Sequence, residues 1–363
     1  MTSLGILLAA ALMFTTTGCS GQTGQQITVK EPPVQEKSEN LVLEEIKRLD
    51  GLYGMAWLSD EEILTTSAPK WMEGELSTHD VQTGKDHPIG IASGMWVNLS
   101  PDRKYAYIYE NSRAQASFVR MADGKRVRVQ MGDGDISILN GQVQGAWLDN
   151  QTYVIATVQG LSQATLDGKV TPLATLGEQE TVVKVLSAPS SSSQKLNRLY
   201  YLNNHKQLYV LPINSGTSDK SENAAKATLV QSQVVDFTLS PEGTQAAFAI
   251  ETKENENALV VTKLDQTKQG KVITSGRFVR QLSWSPDGSK LAFALFNLEW
   301  GTTGLYVMNT LTGYMTPVSY YPNLQSVLWW SPSGKQLMMS QENQEMNLDM
   351  PNNKLLSEIY RLK

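Results

Sequence analysis

The chain has 363 residues, with 31 Lys and Arg against 36 Asp and Glu, a net charge of −5, a single cysteine and three histidines. That balance excludes a nucleic-acid binder, which needs a concentrated basic footprint, and one thiol excludes an intramolecular disulfide framework. His79, His87 and His205 are too scattered for a histidine-rich metal centre, so no metal or cofactor is expected.

At the N-terminus an apolar stretch runs from Leu4 to Phe14, shorter than the roughly 20 residues that a membrane-spanning helix needs. Small residues follow and end in Gly18-Cys19-Ser20. The pattern resembles the lipobox of bacterial lipoprotein signals. The resemblance implies that the Cys19 thiol receives a diacylglycerol and that cleavage after Gly18 makes Cys19 the new N-terminus. The alternative is a non-lipidated secretory signal with an incidental cysteine. Residues Ser20 to Asn40 are rich in Gly, Gln, Pro, Glu and Lys; they bury too little apolar surface to order themselves and read as a flexible tether. The expected organisation is a signal peptide over 1–18, the lipidated cysteine and tether over 19–40, and one folded domain over 41–363. The protein would then sit at the extracytoplasmic face of the cell membrane, held there by its lipid.

From Leu41 onward, short segments with period-2 alternation are separated by Gly, Pro, Asn, Asp and Ser clusters, which predicts an all-β class. Internal repetition is the strongest signal. Trp284-Ser285-Pro286-Asp287-Gly288 precedes the strand Leu291-Ala292-Phe293-Ala294, and the plan recurs at Leu239-Ser240-Pro241-Glu242-Gly243, Trp330-Ser331-Pro332-Ser333-Gly334 and Leu99-Ser100-Pro101-Asp102. Weaker copies start at Trp57 and Trp147, and a degenerate one lies near Leu186-Ser187-Ala188-Pro189. In each copy a large residue ends one strand, Pro sets φ in a tight turn, and Gly accepts a positive φ before the next strand returns antiparallel. The spacing, about 45 residues, is that of a four-stranded propeller blade. It predicts seven blades; six is the alternative if the region around 186–228 is an elaborated loop. These residues resemble the WD-repeat-like β-propeller of the TolB type, and the resemblance implies a fold without a particular activity.

After the last anchor only three strands are legible, Gln325–Trp329, Gln336–Ser340 and Glu358–Leu362. The segment Leu41–Leu49 has no blade of its own, so it is expected to supply the missing outer strand and close the ring.

The Ser-Pro turns share one face of the ring, where their acidic residues read as turn chemistry. Candidate binding residues fall in connections that open on the other face. They are Trp71, Glu299 and Trp300 within blades, and Arg277 with Phe278 and Tyr320 with Tyr321 between blades. Loop-borne aromatics on a rigid scaffold suit recognition, against the plainer reading that they cover their own blade ends. Met131-Gly132-Asp133-Gly134-Asp135 lacks the ligand count of a calcium loop and reads as a turn. No serine or cysteine motif completes a triad with His79 and Asp80. No charged residue is found recurring at one inner-strand position. The expected role is a membrane-anchored, non-enzymatic module that binds a protein or an envelope polymer. The rival is a propeller enzyme or sensor with its site at the central channel.

Overall fold

Alternation from Leu41 onward becomes strand after strand in the computed structural model. The model describes residues 41–363 other than 68–73, 93–95, 111–114, 132–142, 178, 189–195, 215–225, 266, 268–269, 298–302, 321–326 and 346–351. The chain divides between Glu39 and Asn40; the expected signal peptide and tether, with Cys19, lie outside the described residues. The rest forms seven antiparallel sheets of four strands each, without a helix among the described residues. Blades 1 to 6 take consecutive strands over 53–92, 96–128, 146–175, 182–232, 234–276 and 278–319. The first strands of neighbouring blades touch one another, which places them innermost around the ring axis.

Blade 7 combines both ends of the chain. Val327–Trp330, Gln336–Glu345 and Asn352–Leu362 are joined by Leu43–Asp50, which lies outermost and pairs antiparallel with Asn352–Leu362 from Leu43↔Leu362 to Asp50↔Leu356. The expected closing strand is therefore present, one or two residues later than read from sequence. Leu41 and Leu49 are buried, and Thr316 Oγ1 donates to the Leu41 carbonyl at 2.9 Å.

The core is divided into seven apolar clusters, one at each contact between adjacent blades. A twisted sheet with two apolar faces is covered on both sides by its neighbours, so closure of the ring buries every inner surface. Three of the four anchor tryptophans also link blades by hydrogen bonds, whereas Trp284 Nε1 donates to the Gly288 carbonyl of its own turn at 3.0 Å. Trp57 Nε1 donates to the Trp329 carbonyl at 3.0 Å, Trp147 Nε1 to that of Asn98 at 3.0 Å and Trp330 Nε1 to that of Ser283 at 3.1 Å. In blade 4 the degenerate anchor is Ser187, whose hydroxyl donates to the Trp147 carbonyl at 2.5 Å. The ragged region around 186–228 is thus a full blade.

The Ser-Pro turns obey their chemistry closely. Serine hydroxyls accept the first amide of the following strand, from Tyr105 to Ser100 and Gln245 to Ser240 at 3.0 Å and from Lys290 to Ser285 at 2.9 Å. Gly243, Gly288 and Gly334 hold φ of 68°, 73° and 69°, and Arg103 takes the same place in blade 2 with φ 58°.

Candidate functional site

Antiparallel order within each blade puts the Ser-Pro turns at one end of the ring. The connections between second and third strands, and those between blades, lie at the other. Arg277 and Tyr320 lie in connections of the second kind. Phe278 is the first residue of the innermost strand of blade 6, Phe278–Trp284, rather than part of the connection before it. Trp71, Glu299, Trp300 and Tyr321 lie outside the described residues, as do Asp133 and Asp135.

At the end of the ring opposite the Ser-Pro turns, the ring brings together charges that sequence reading missed. Lys184, Asp236 and Arg280 stand on the innermost strands of blades 4, 5 and 6, opposite Leu202, Ala249 and Ala294 of the second strands. These are equivalent register positions, so a charged residue does recur at one inner-strand position, contrary to expectation. β-Bulges hide the match: Asp236 lies three residues before its anchor Leu239, Arg280 four before Trp284, and the anchor in blade 4 is a serine. A bulge inserts one residue and breaks any fixed spacing. The legible signal was the strand opening itself, Val182-Val183-Lys184, Val234-Val235-Asp236 and Phe278-Val279-Arg280.

Asp236 ties the three blades. Its Oδ1 accepts from Lys184 Nζ at 2.7 Å and from the Phe237 amide at 2.8 Å, while its Oδ2 accepts from the Leu282 amide at 3.0 Å. That last donor is released from the ladder by the bulge between Arg280 and Ser283, where Gln281 holds φ 59°. Arg280 Nη1 donates to Asn257 Oδ1 at 2.7 Å and to the Val279 carbonyl at 2.9 Å. Burial pulls the Arg280 guanidinium below its usual range, while the Asp236 and Glu251 carboxylates oppose that shift. Glu251 is itself paired with Lys206 at 2.7 Å.

Arg277 and Arg280 each lie 5.7 Å from the centroid of the Phe278 ring, within cation–π range. The Phe278 ring is 5.9 Å from that of Phe296. Arg277 makes no hydrogen bond or ion pair among the described residues, and its Nε is buried without a partner. Tyr320 is 65% exposed.

Elsewhere the described residues offer less. His79 pairs with Asp86 rather than Asp80, with Nδ1 2.7 Å from Oδ1, and its side chain is buried. Asp80 instead accepts the amides of Gln82 and Thr83 in its own turn, at 2.8 and 2.7 Å. A polar cavity of about 370 Å³ lies at the seam of blades 7 and 1, lined by Glu45, Lys47, Gln82, Gln336 and Arg361 among others, and holds none of the expected site residues. Among the described residues, no three His, Cys, Asp or Glu side chains gather as a metal-ligand set. No helix there is long and apolar enough to cross a membrane.

No family model matches the chain. Several solved structures do resemble it. An oligogalacturonate lyase in complex with manganese is similar over 88% of this chain and 91% of its own, at 13% identity and a TM-score of 0.60. The β-propeller domain of Cps50 (Swd1) from Myceliophteria thermophila is similar over 89% and 100%, at 11% identity and a TM-score of 0.52. Hydrazine synthase from Kuenenia stuttgartiensis is similar over 80% and 92%, at 11% identity and a TM-score of 0.51. Identities this low speak for the fold and carry no activity with them: the chain is a seven-bladed β-propeller.

Proposed function

We propose that the protein is a TolB-type lipoprotein propeller, anchored through Cys19 at the extracytoplasmic face of the membrane, that binds a protein partner without catalysing a reaction. The face opposite the Ser-Pro turns is its binding surface. The observation that carries this reading is the unsatisfied recognition chemistry there, an Arg277 guanidinium within cation–π range of Phe278 with no acceptor among the described residues, alongside exposed Tyr320. Arginine and large aromatics are the residue types on which protein recognition concentrates. The Ser-Pro turns, by contrast, have their carboxylates consumed internally.

A second reading, a ligand site at the ring axis, is favoured by the equivalent positions of Lys184, Asp236 and Arg280. An enzyme stands among the structural neighbours, but Lys184 and Asp236 neutralise each other at 2.7 Å, which speaks for a structural tie rather than a free acid or base.

The test is partner capture from envelope extracts. Trp71→Ala combined with Trp300→Ala should weaken capture at least tenfold, taking about 2 kcal/mol or more for a hot-spot residue, with the melting curve retained. Substitutions of Asp102 and Asp287 should cost stability and leave capture intact; the reverse pattern would move the site to the other face. Cys19→Ser, or globomycin, should block processing or release the protein from membranes, and correct processing with retention on the membrane would sink the lipoprotein reading.

A further inference from the structure

At the ring mouth of blades 4 to 6, lysines hold carboxylates and two arginines do not. Lys184 and Lys206 stand with the carboxylates Asp236 and Glu251, and Arg277 and Arg280 share the Phe278 ring. Each carboxylate is held by a lysine of blade 4, at 2.7 Å in both cases. Glu256, in the same hairpin as Glu251, is held by Lys253 at 2.8 Å. Neither arginine has a carboxylate partner within hydrogen-bonding distance among the described residues. Both flank one phenyl ring, so their guanidinium carbons are no further apart than the sum of their two distances to its centroid.

Arg277 adds the sharper observation. Its Nε is buried and unpartnered among the described residues. Leaving a buried donor without an acceptor is costly, and native folds rarely do so unless something outside the chain supplies the acceptor. A guanidinium presents a planar fork that matches a carboxylate with two parallel N–H···O bonds. Phe278 and Phe296 give the fork an apolar floor.

We propose that Arg277 and Arg280, over the Phe278 ring, form a carboxylate-binding site that takes an acidic peptide segment of a partner protein. The proposal rests on the reading of this face as the binding surface. The aromatic floor and exposed Tyr320 select a peptide, in which a Glu or Asp side chain can lie beside an apolar one.

Calorimetric titration with a synthetic hexapeptide of alternating glutamate and phenylalanine tests it, with the glutamine counterpart as control. The glutamate peptide should bind and weaken as salt is raised, because the attraction is between charges. The glutamine peptide should bind at least tenfold more weakly. Arg277→Gln should lose at least tenfold in affinity with an unchanged melting temperature, since Arg277 makes no described hydrogen bond in the fold, and Arg277→Lys should recover only part of the loss. Equal binding of the two peptides, or an Arg277→Gln protein that binds as well as the parent, would overturn the site. An acidic sugar tetramer that binds through Arg277 where the peptide does not would overturn the peptide assignment. Capture that still depends on Trp71 and Trp300 but ignores Arg277 would remove this site and leave the surface reading standing; loss of both dependences would remove both.

Discussion

Removal of residues 41–50 tests whether the N-terminal strand closes the ring. Leu41 and Leu49 are each 7% exposed, and burial of a leucine side chain contributes about 1.5–3 kcal/mol, so the two together account for about 3–6 kcal/mol. The ladder from Leu43↔Leu362 to Asp50↔Leu356 adds backbone hydrogen bonds worth about 0.5–1.5 kcal/mol each. Its loss also leaves Asn352–Leu362 as an open edge that invites pairing with another chain. The combined loss, above about 5 kcal/mol, is comparable to the whole stability of an ordinary domain, about 5–15 kcal/mol. The truncated protein should therefore unfold at much lower urea or associate through the open edge. A milder variant keeps the effect measurable: Leu49→Ala should cost about 2–5 kcal/mol, whereas Val42→Thr, at a side chain 54% exposed, should stay within about 0.5 kcal/mol. Urea titrations followed by tryptophan fluorescence give the midpoints, and a peptide of residues 39–52 added in trans should restore part of the loss. Deletion of 21–38 should leave the midpoint almost where it was. Equal shifts from the two deletions would refute closure by this strand.

The turn chemistry yields two further expectations. Arg103 occupies a left-handed position that Gly243, Gly288 and Gly334 fill in sister blades; Arg103→Gly should raise stability by about 0.5–1 kcal/mol and Gly288→Ala lower it by about 1–2 kcal/mol, read from melting curves, and a loss from Arg103→Gly would contradict the strain argument. Hydrogen bonds from Ser100 hold the Asp102 carboxyl below its usual range, and at Asp287 burial pushes upward but bonds from Ser285 and Ser289 outweigh it. Carboxyls depressed in the fold stabilise it above their unfolded pKa, about 4, and that contribution disappears as pH falls through the lower folded value. Stability should thus decline below about pH 4, and Asp102→Asn with Asp287→Asn should flatten that decline in urea midpoints compared between pH 7 and pH 3; an unchanged slope would show that these turns are not its source.

Much of the architecture is written locally. The anchor, Ser-Pro turn and returning strand recur because each short segment carries its own instructions: Pro restricts φ, Gly permits a positive φ, and serine supplies an acceptor to the next amide. Blade number, all-β class and even the closing strand follow from counting such copies and noticing a segment without a blade. Copies with a degenerate anchor, as at Ser187, are harder to read because a hydroxyl has taken over the link to the neighbouring blade that an indole makes elsewhere. Only closure of the ring decided which side chains meet at its mouth. Lys184 and Asp236 are 52 residues apart, and the bulges that align them with Arg280 also break the spacing by which they could have been matched. Arg277 and Tyr320 were legible as residues off the repeat. That Arg277 and Arg280 share one phenyl ring is visible only in the folded strand, where Phe278 and Arg280 keep register with Phe296 and Ala294 ahead of the bulge, because side-chain contacts at a strand start are set by tertiary packing rather than by period-2 alternation.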